Sequence, residues 1–175
     1  MPKKSKGVVE TPVSEKTKGF TIIVDTREQI PWNFNRGDWV ENIEETKLNQ
    51  GDYSIKGHET LISIERKRST AEIAGNIFEK RFEAELERLS DLVAHPFIIC
   101  EFNFSDLKNF PAGSGIPQSR WNWLRTTNLV LMKSITLFQL RFPKVVWQWC
   151  GNTDLARENA RSLLKTTLQV HGLLK

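Results

Sequence analysis

The sequence predicts an α/β protein, a central mixed β-sheet flanked by helices. Three observations carry that expectation. Short runs rich in β-branched and aromatic residues alternate with segments whose apolar residues recur at helical spacing, in the order strands, helix, strand, helix, strand, helix. A chain of 175 residues, 39% hydrophobic and 26% charged, has the size and composition of one globular domain with a substantial core. No internal repeat divides it, and composition changes only near the N-terminus. The expected organisation is therefore a flexible basic tail over residues 1–18 and a single domain over residues 19–175.

The elements follow in order. FTIIVD (20–25) predicts a buried strand ending at Asp25. TREQIPWNFNRGDW reads as a loop, punctuated by Pro31, Asn33, Asn35 and Gly37. VENIEETKL is ambiguous, with a short strand as one reading. DYSI and ETLISIER predict two strands around a turn at residues 56–58. Alternation in the second puts Ile62, Ile64 and Arg66 on one face and Leu61, Ser63, Glu65 and Lys67 on the other. A helix is expected from Thr70, started by the Ser69/Glu72 capping box. Ala71, Ala74, Phe78, Phe82, Leu86, Leu89 and Val93 continue it at helical spacing. FIICEF (97–102) predicts another strand and NFSDLKNFPAGSGIP a loop. Residues 121–140 then predict one long helix with Leu124, Leu131, Ile135 and Phe138 on a face. KVVWQW is a further strand, and a final helix begins with Asn152 or Thr153 as its cap.

Charge and composition exclude some classes. The formal net charge of +4 favours a polyanionic partner only mildly. Lys3, Lys4, Lys6, Lys16 and Lys18 make the tail basic, either for phosphate contacts or as a solvated segment. No apolar run approaches the roughly 18 residues of a membrane span, and the N-terminus lacks a secretory apolar core. An intracellular protein with no membrane partner is expected, in the cytoplasm or, in a eukaryote, the nucleus. Cys100 and Cys150 are expected as buried thiols, and His58, His95 and His171 have no zinc-spaced partners.

The chemistry concentrates in GDYSIKGHETLISIERKRS (51–69). Asp52 and Glu65 would supply carboxylates to a hard divalent cation if the hairpin brings their strands together. Lys67 points to the same face as Glu65 while the strand stays extended, where an ammonium can orient water or stabilise charge on a phosphate. A D…E-x-K pattern by itself equally describes solvated strand-end ion pairs.

The wider string is more specific. VDTRE at a strand end, QGDY before a hairpin and IERKRS leading into a helix resemble, in that order, the nuclease domain of the XPF family of structure-specific DNA endonucleases. The family signature is G-D, a variable gap, E-R-K, three residues and D. Here Gly51-Asp52 and Glu65-Arg66-Lys67 match, while the aspartate position holds Ala71, with Glu72 one residue later. NIFEKRFEAEL, FIICEF and the segment from Leu129 to Leu164 are similar to the following family elements, so the resemblance runs from about residue 20 to 170.

That resemblance implies a restriction-endonuclease-like core and a Mg²⁺-dependent endonuclease (Mn²⁺ able to substitute) acting on branched DNA such as flaps, forks or junctions, in repair, recombination or replication. It implies Asp52 and Glu65 as metal ligands, with the backbone carbonyl of Arg66 adding a contact. Lys67 becomes the catalytic lysine, and Asp25 lies beside the metal or holds its waters. Arg27 and Glu28 order the site or form a strand-end ion pair. Arg68 and Arg81 touch DNA phosphates or serve as surface ion pairs, and Glu72 supports the site mainly as a cap. Trp32 and Trp39, in the loop after the first strand, are expected to stack on unpaired bases. Trp121, Trp123, Trp147 and Trp149 are expected in core or interface. The family's habit of pairing through its last helices implies a homodimer or heterodimer. The family's tandem helix-hairpin-helix module and helicase segment are not in the sequence, so the basic tail or a second subunit is expected to help hold DNA. Two alternatives remain: a non-catalytic DNA-binding or dimerisation partner of the same fold, and a junction resolvase or restriction-type nuclease.

Overall fold

The protein is described by a computed structural model covering residues 18–37 and 39–175. The expected tail, apart from Lys18, lies outside the described residues. Six strands form one sheet: β1 (Phe20–Val24), β2 (Val40–Glu45), β3 (Tyr53–Ile55), β4 (Ile62–Lys67), β5 (His95–Cys100) and β6 (Val146–Trp149). Their spatial order is β2-β1-β3-β4-β5-β6. The β1/β2, β4/β5 and β5/β6 pairs are parallel, and β3 runs antiparallel to both β1 and β4. All strands except β3 therefore share a direction. The ends of β1, β4, β5 and β6 and the start of β3 meet at one end of the sheet.

Alternation within the strands feeds two cores. Ile62 and Ile64 of β4, with Ile22, Val24, Tyr53 and Ile55, pack under helix α5 (Thr153–Val170). That helix presents Ala156, Ala160, Leu164 and Leu168, a stripe at fourfold spacing, and Asn152 caps it through Leu155 N. On the other face, Ile98, Cys100 and Trp147 meet α1 (Thr70–Asn76), α2 (Lys80–Leu92), α3 (Phe104–Asn109) and α4 (Asn128–Arg141). Each large aliphatic or aromatic side chain buried this way contributes about 1.5–3 kcal/mol. The ambiguous segment after the first loop is the edge strand β2.

Three expectations are corrected. The helix after Ser69 is two helices, because Gly75 and Asn76 are poor helix formers and Glu79 is extended as the next N-cap. Phe78, expected in the core, falls at that break and is 54% exposed. Residues 121–140 are not one helix: a 3₁₀ turn spans Gln118–Trp123, Leu124 is extended, and α4 starts where Thr127 accepts from Val130 N. The Thr-Thr-Asn run is an N-cap signal that outweighs the apolar spacing. The expected loop after β5 contains α3, started by a reciprocal Asn103/Asp106 capping box.

Candidate active site

The site is built on a turn that only glycine fits. Gly51 has φ +71°, and a Cβ there would sit 2.3 Å from Ser63 Oγ. The chain leaving this turn enters β3 with Tyr53 opposite Ile64, so the register sets Asp52 against Glu65. Asp52 N donates to Ile64 O at 2.8 Å, and Asp52 Oδ2 accepts from Arg66 N at 2.8 Å. Asp52 is thus held to β4 by its backbone N–H and by one carboxylate oxygen. Glu65 Oε1 accepts from Lys67 Nζ at 2.6 Å, both side chains being buried. Lys67 also lies 3.4 Å from Glu72 Oε1 and over the Phe82 ring.

Asp52, Glu65 and Lys67 line one cleft of about 460 Å³. Arg27, Glu28, Arg68, Glu72 and Arg81 line it too, so the tertiary fold gathers most of the residues selected from sequence. The sequence reading missed Glu85, Arg88 and Asn76, which also line it. Glu85 lies one turn after Phe82 and next to Leu86 on α2, so its place at the edge of the buried stripe was readable from helical spacing.

The electrostatics are those of two anions forced together. Burial raises the proton affinity of Asp52 to about 7, opposed by the Arg66 N–H and by Lys67 and reinforced by Glu28 and Glu85. Burial and the Asp52 charge push Glu65 well above the ordinary carboxylate range, against the pull of Lys67. Burial works to deprotonate Lys67, but the charges of Glu65 and Glu72 prevail and raise it, so it stays an ammonium. A buried pair of hard oxygens with high proton affinity is also a pair suited to a hard divalent cation, which takes one or two carboxylates and keeps several waters. Among the described residues no group of three or more His, Cys, Asp or Glu side chains is placed so that it could hold a metal ion.

Other selected residues have different surroundings. Asp25 is 1% exposed, and both its oxygens are taken. Oδ1 accepts from Arg27 N and Nε, and Oδ2 from Arg27 Nη2 and Leu48 N. Burial opposes its ionisation, yet the bonds from Arg27 and Leu48 hold it below its ordinary value. Asp25, expected beside the metal or holding its waters, is outside the cleft lining; its oxygens accept from Arg27 and Leu48, and it holds Arg27, which lines the cleft. The expectation for Trp32 is corrected. It is 4% exposed, stacks on Tyr53 and donates from Nε1 to Glu101 Oε1, so it offers no surface to a base. Trp39 is half-buried under the Lys165 ammonium, 3.0 Å from the ring centroid. Arg66 faces away from Glu65, as alternation required. Its guanidinium joins Glu101, Glu28, the Ile30 carbonyl and the Trp32 ring, while only its backbone serves the site. Glu72 accepts from Arg68 N at 2.8 Å while Ser69 Oγ caps Glu72 N, so it braces the start of α1 and faces Lys67 at once.

With this geometry in hand, comparison with known proteins is specific. The family model of the ERCC4 domain matches residues 24–157. A search of curated proteins gave no match. Among solved structures, XPF from Aeropyrum pernix is similar at 19% identity and a TM-score of 0.57, covering 84% of this chain and 61% of that one. The same protein in complex with DNA is similar at 18% identity and a TM-score of 0.52, covering 87% of this chain and 65% of that one. The chain thus spans under two thirds of the solved chains it matches. No helix among the described residues is long and apolar enough to cross a membrane. A six-stranded mixed sheet with this strand order, and a family match across most of its length, mean that the chain belongs to the ERCC4-domain family and has the fold of an XPF-type nuclease domain.

Proposed function

We propose that this protein is a divalent-metal-dependent, structure-specific endonuclease that hydrolyses phosphodiester bonds in branched DNA such as flaps, forks or junctions. The observation that carries the reading is the convergence of Asp52, Glu65 and Lys67 in one cleft, with Asp52 just before β3 continuing its register opposite Glu65 on β4. Asp52, Glu65 and the Arg66 carbonyl would hold Mg²⁺, with Mn²⁺ as a substitute. Such an ion supplies neutralisation of the phosphate and activation of water. Lys67, cationic and fixed by Glu65 and Glu72, stabilises negative charge developing on the phosphate oxygens rather than accepting a proton. Arg27, held by Asp25 and the Leu48 carbonyl, is pre-aimed at a phosphate, and the exposed Arg68 and Arg81 extend that grip along the cleft rim. The reaction is direct water attack on phosphorus, with no covalent enzyme intermediate.

Residues 19–175 act as one nuclease domain in this reading, inside the cell. The exposed Leu129, Leu137 and Leu140 of α4 and Val146 of β6 form the apolar face through which a second subunit binds. A competing reading, a non-catalytic DNA-binding or dimerisation partner, is favoured by one observation, the Ala71 at the family's final acidic position. Purified protein is expected to cut forked or flap DNA with Mg²⁺ or Mn²⁺ and to lose cutting with Asp52→Ala or Lys67→Ala. Equal cutting by both variants removes the site assignment. Calorimetry that detects no Mn²⁺ binding selects the non-catalytic partner.

A further inference from the structure

From Leu107 to Thr153 the chain contains no aspartate or glutamate, so all 21 acidic residues lie elsewhere. The same stretch carries Lys108, Arg120, Arg125, Lys133, Arg141 and Lys144, every one exposed. It also carries Trp123, which at 84% is the most exposed large apolar side chain among the described residues. Arg141 pairs with Glu83, but a highly exposed tryptophan near Arg120 and Arg125 in sequence asks for a ligand with both a π-face and negative charge.

The local structure makes this a formed platform. In the 3₁₀ turn Gln118–Trp123, residues three apart eclipse, so Arg120 and Trp123 share one side and Trp121 and Leu124 the other. The second side is anchored: Trp121 Nε1 donates to the Ile116 carbonyl at 2.9 Å, and Leu124 packs on the core. The first side is left to solvent. Arg120 and Arg125 make no ion pair among the described residues.

Topology relates this turn to the cleft. Since β5 and β6 are parallel, the segment between them returns the chain from the end of β5 to the start of β6. Phe138, near the end of α4, packs on Phe82 of the cleft wall with ring centroids 5.6 Å apart. The start of α4 is tied to the end of α3, where the Asn128 side chain donates to the Lys108 carbonyl at 2.7 Å.

We infer that Trp123, with Arg120 and Arg125, is a stacking platform for unpaired nucleotides, taking the single-stranded arm of the branched DNA whose junction reaches the cleft. This deepens the nuclease reading and rests on it for the substrate, while the platform's chemistry stands on the turn itself. Aromatic stacking supplies sequence-tolerant binding to each base, and the arginines follow the backbone.

The test is binding of fluorescein-labelled single-stranded oligo-dT and of a blunt duplex, with cutting of a flap followed in parallel. Trp123→Ala is expected to weaken oligo-dT binding roughly 5- to 100-fold and to leave duplex binding unchanged, while Trp123→Phe keeps most of the affinity. Arg120→Gln and Arg125→Gln should each lower the slope of log affinity against log salt by about 0.7. Lys67→Ala should abolish cutting and leave oligo-dT binding intact. If the wild type never cuts but the Trp123 effect persists, the nuclease reading fails and the platform stands. Unchanged oligo-dT binding by Trp123→Ala, with its fold checked by thermal melting, overturns the platform. So does a loss of self-association in sedimentation without loss of oligo-dT binding, which assigns Trp123 to a protein contact.

Discussion

Asp52→Asn should stabilise the metal-free protein while removing its metal site. Asparagine is nearly isosteric and keeps a carbonyl oxygen to accept the Arg66 N–H at 2.8 Å, so the change deletes charge and little else. Burial lifts the Asp52 carboxyl from its ordinary 3.9 to about 7 in the fold. The folded state therefore holds this proton more tightly than the unfolded chain does. Stability from this group is fully present below about pH 4, declines as pH rises, and is lost above about pH 7. About three decades of proton affinity at about 1.4 kcal/mol each set a ceiling of about 4 kcal/mol. The variant escapes that penalty. With a metal chelator at pH 8 its melting temperature should rise by up to roughly 8–16 °C, at about 2–4 °C per kcal/mol for a chain of this size. The gain should shrink toward zero near pH 4. Adding Mn²⁺ at pH 8 should raise the melting temperature of the wild type and leave the variant where it was, because the ion takes the place of the proton. A variant less stable than wild type at pH 8 without metal, or a gap independent of pH, would refute the argument that burial penalises the Asp52 charge.

Other perturbations separate support from chemistry. Lys67→Met leaves buried Glu65 beside Asp52 with no cation, so it should cost about 3 kcal/mol in urea unfolding at pH 8, and less at pH 5, where protonation relieves the pair. Arg66→Met should cost about 3–5 kcal/mol by stranding Glu101 and the Ile30 carbonyl, a loss visible in denaturant midpoint whether or not metal is present. Gly51→Ala should cost at least about 2 kcal/mol and abolish Mn²⁺ binding in calorimetry, since relieving the Ser63 contact and the positive φ shifts Asp52 off β4. Tyr53→Phe should cost about 1–2 kcal/mol in thermal unfolding by leaving the buried Trp32 N–H without its 2.9 Å acceptor.

The sequence by itself determined what local physics encodes. Period-two alternation in ISIERK separated Ile62 and Ile64 from Glu65 and Lys67, and those two sets do face opposite layers of the fold. The Ser69 cap, the Asn152 cap and the Gly51-Asp52 turn were legible because each is a short-range match of side chain to backbone. Where two local signals competed, apolar spacing misled. It ran the 70–93 helix through Glu79 and the 121–140 helix through Thr127, although the poor helix formers Gly75 and Asn76 break the first and the Thr127 cap restarts the second. Long-range partners were not readable at all. Asp25 was selected through the resemblance and Trp32 from its place in the loop after the first strand. Leu48 N lies 23 residues from Asp25 and Glu101 lies 69 residues from Trp32, and those bonds close one carboxylate and bury one ring. The same rule worked in reverse for Glu85 and Trp123. Only the fold brought the first into the cleft and left the second facing solvent, because burial is decided by what packs opposite a side chain, and no local pattern carries that information.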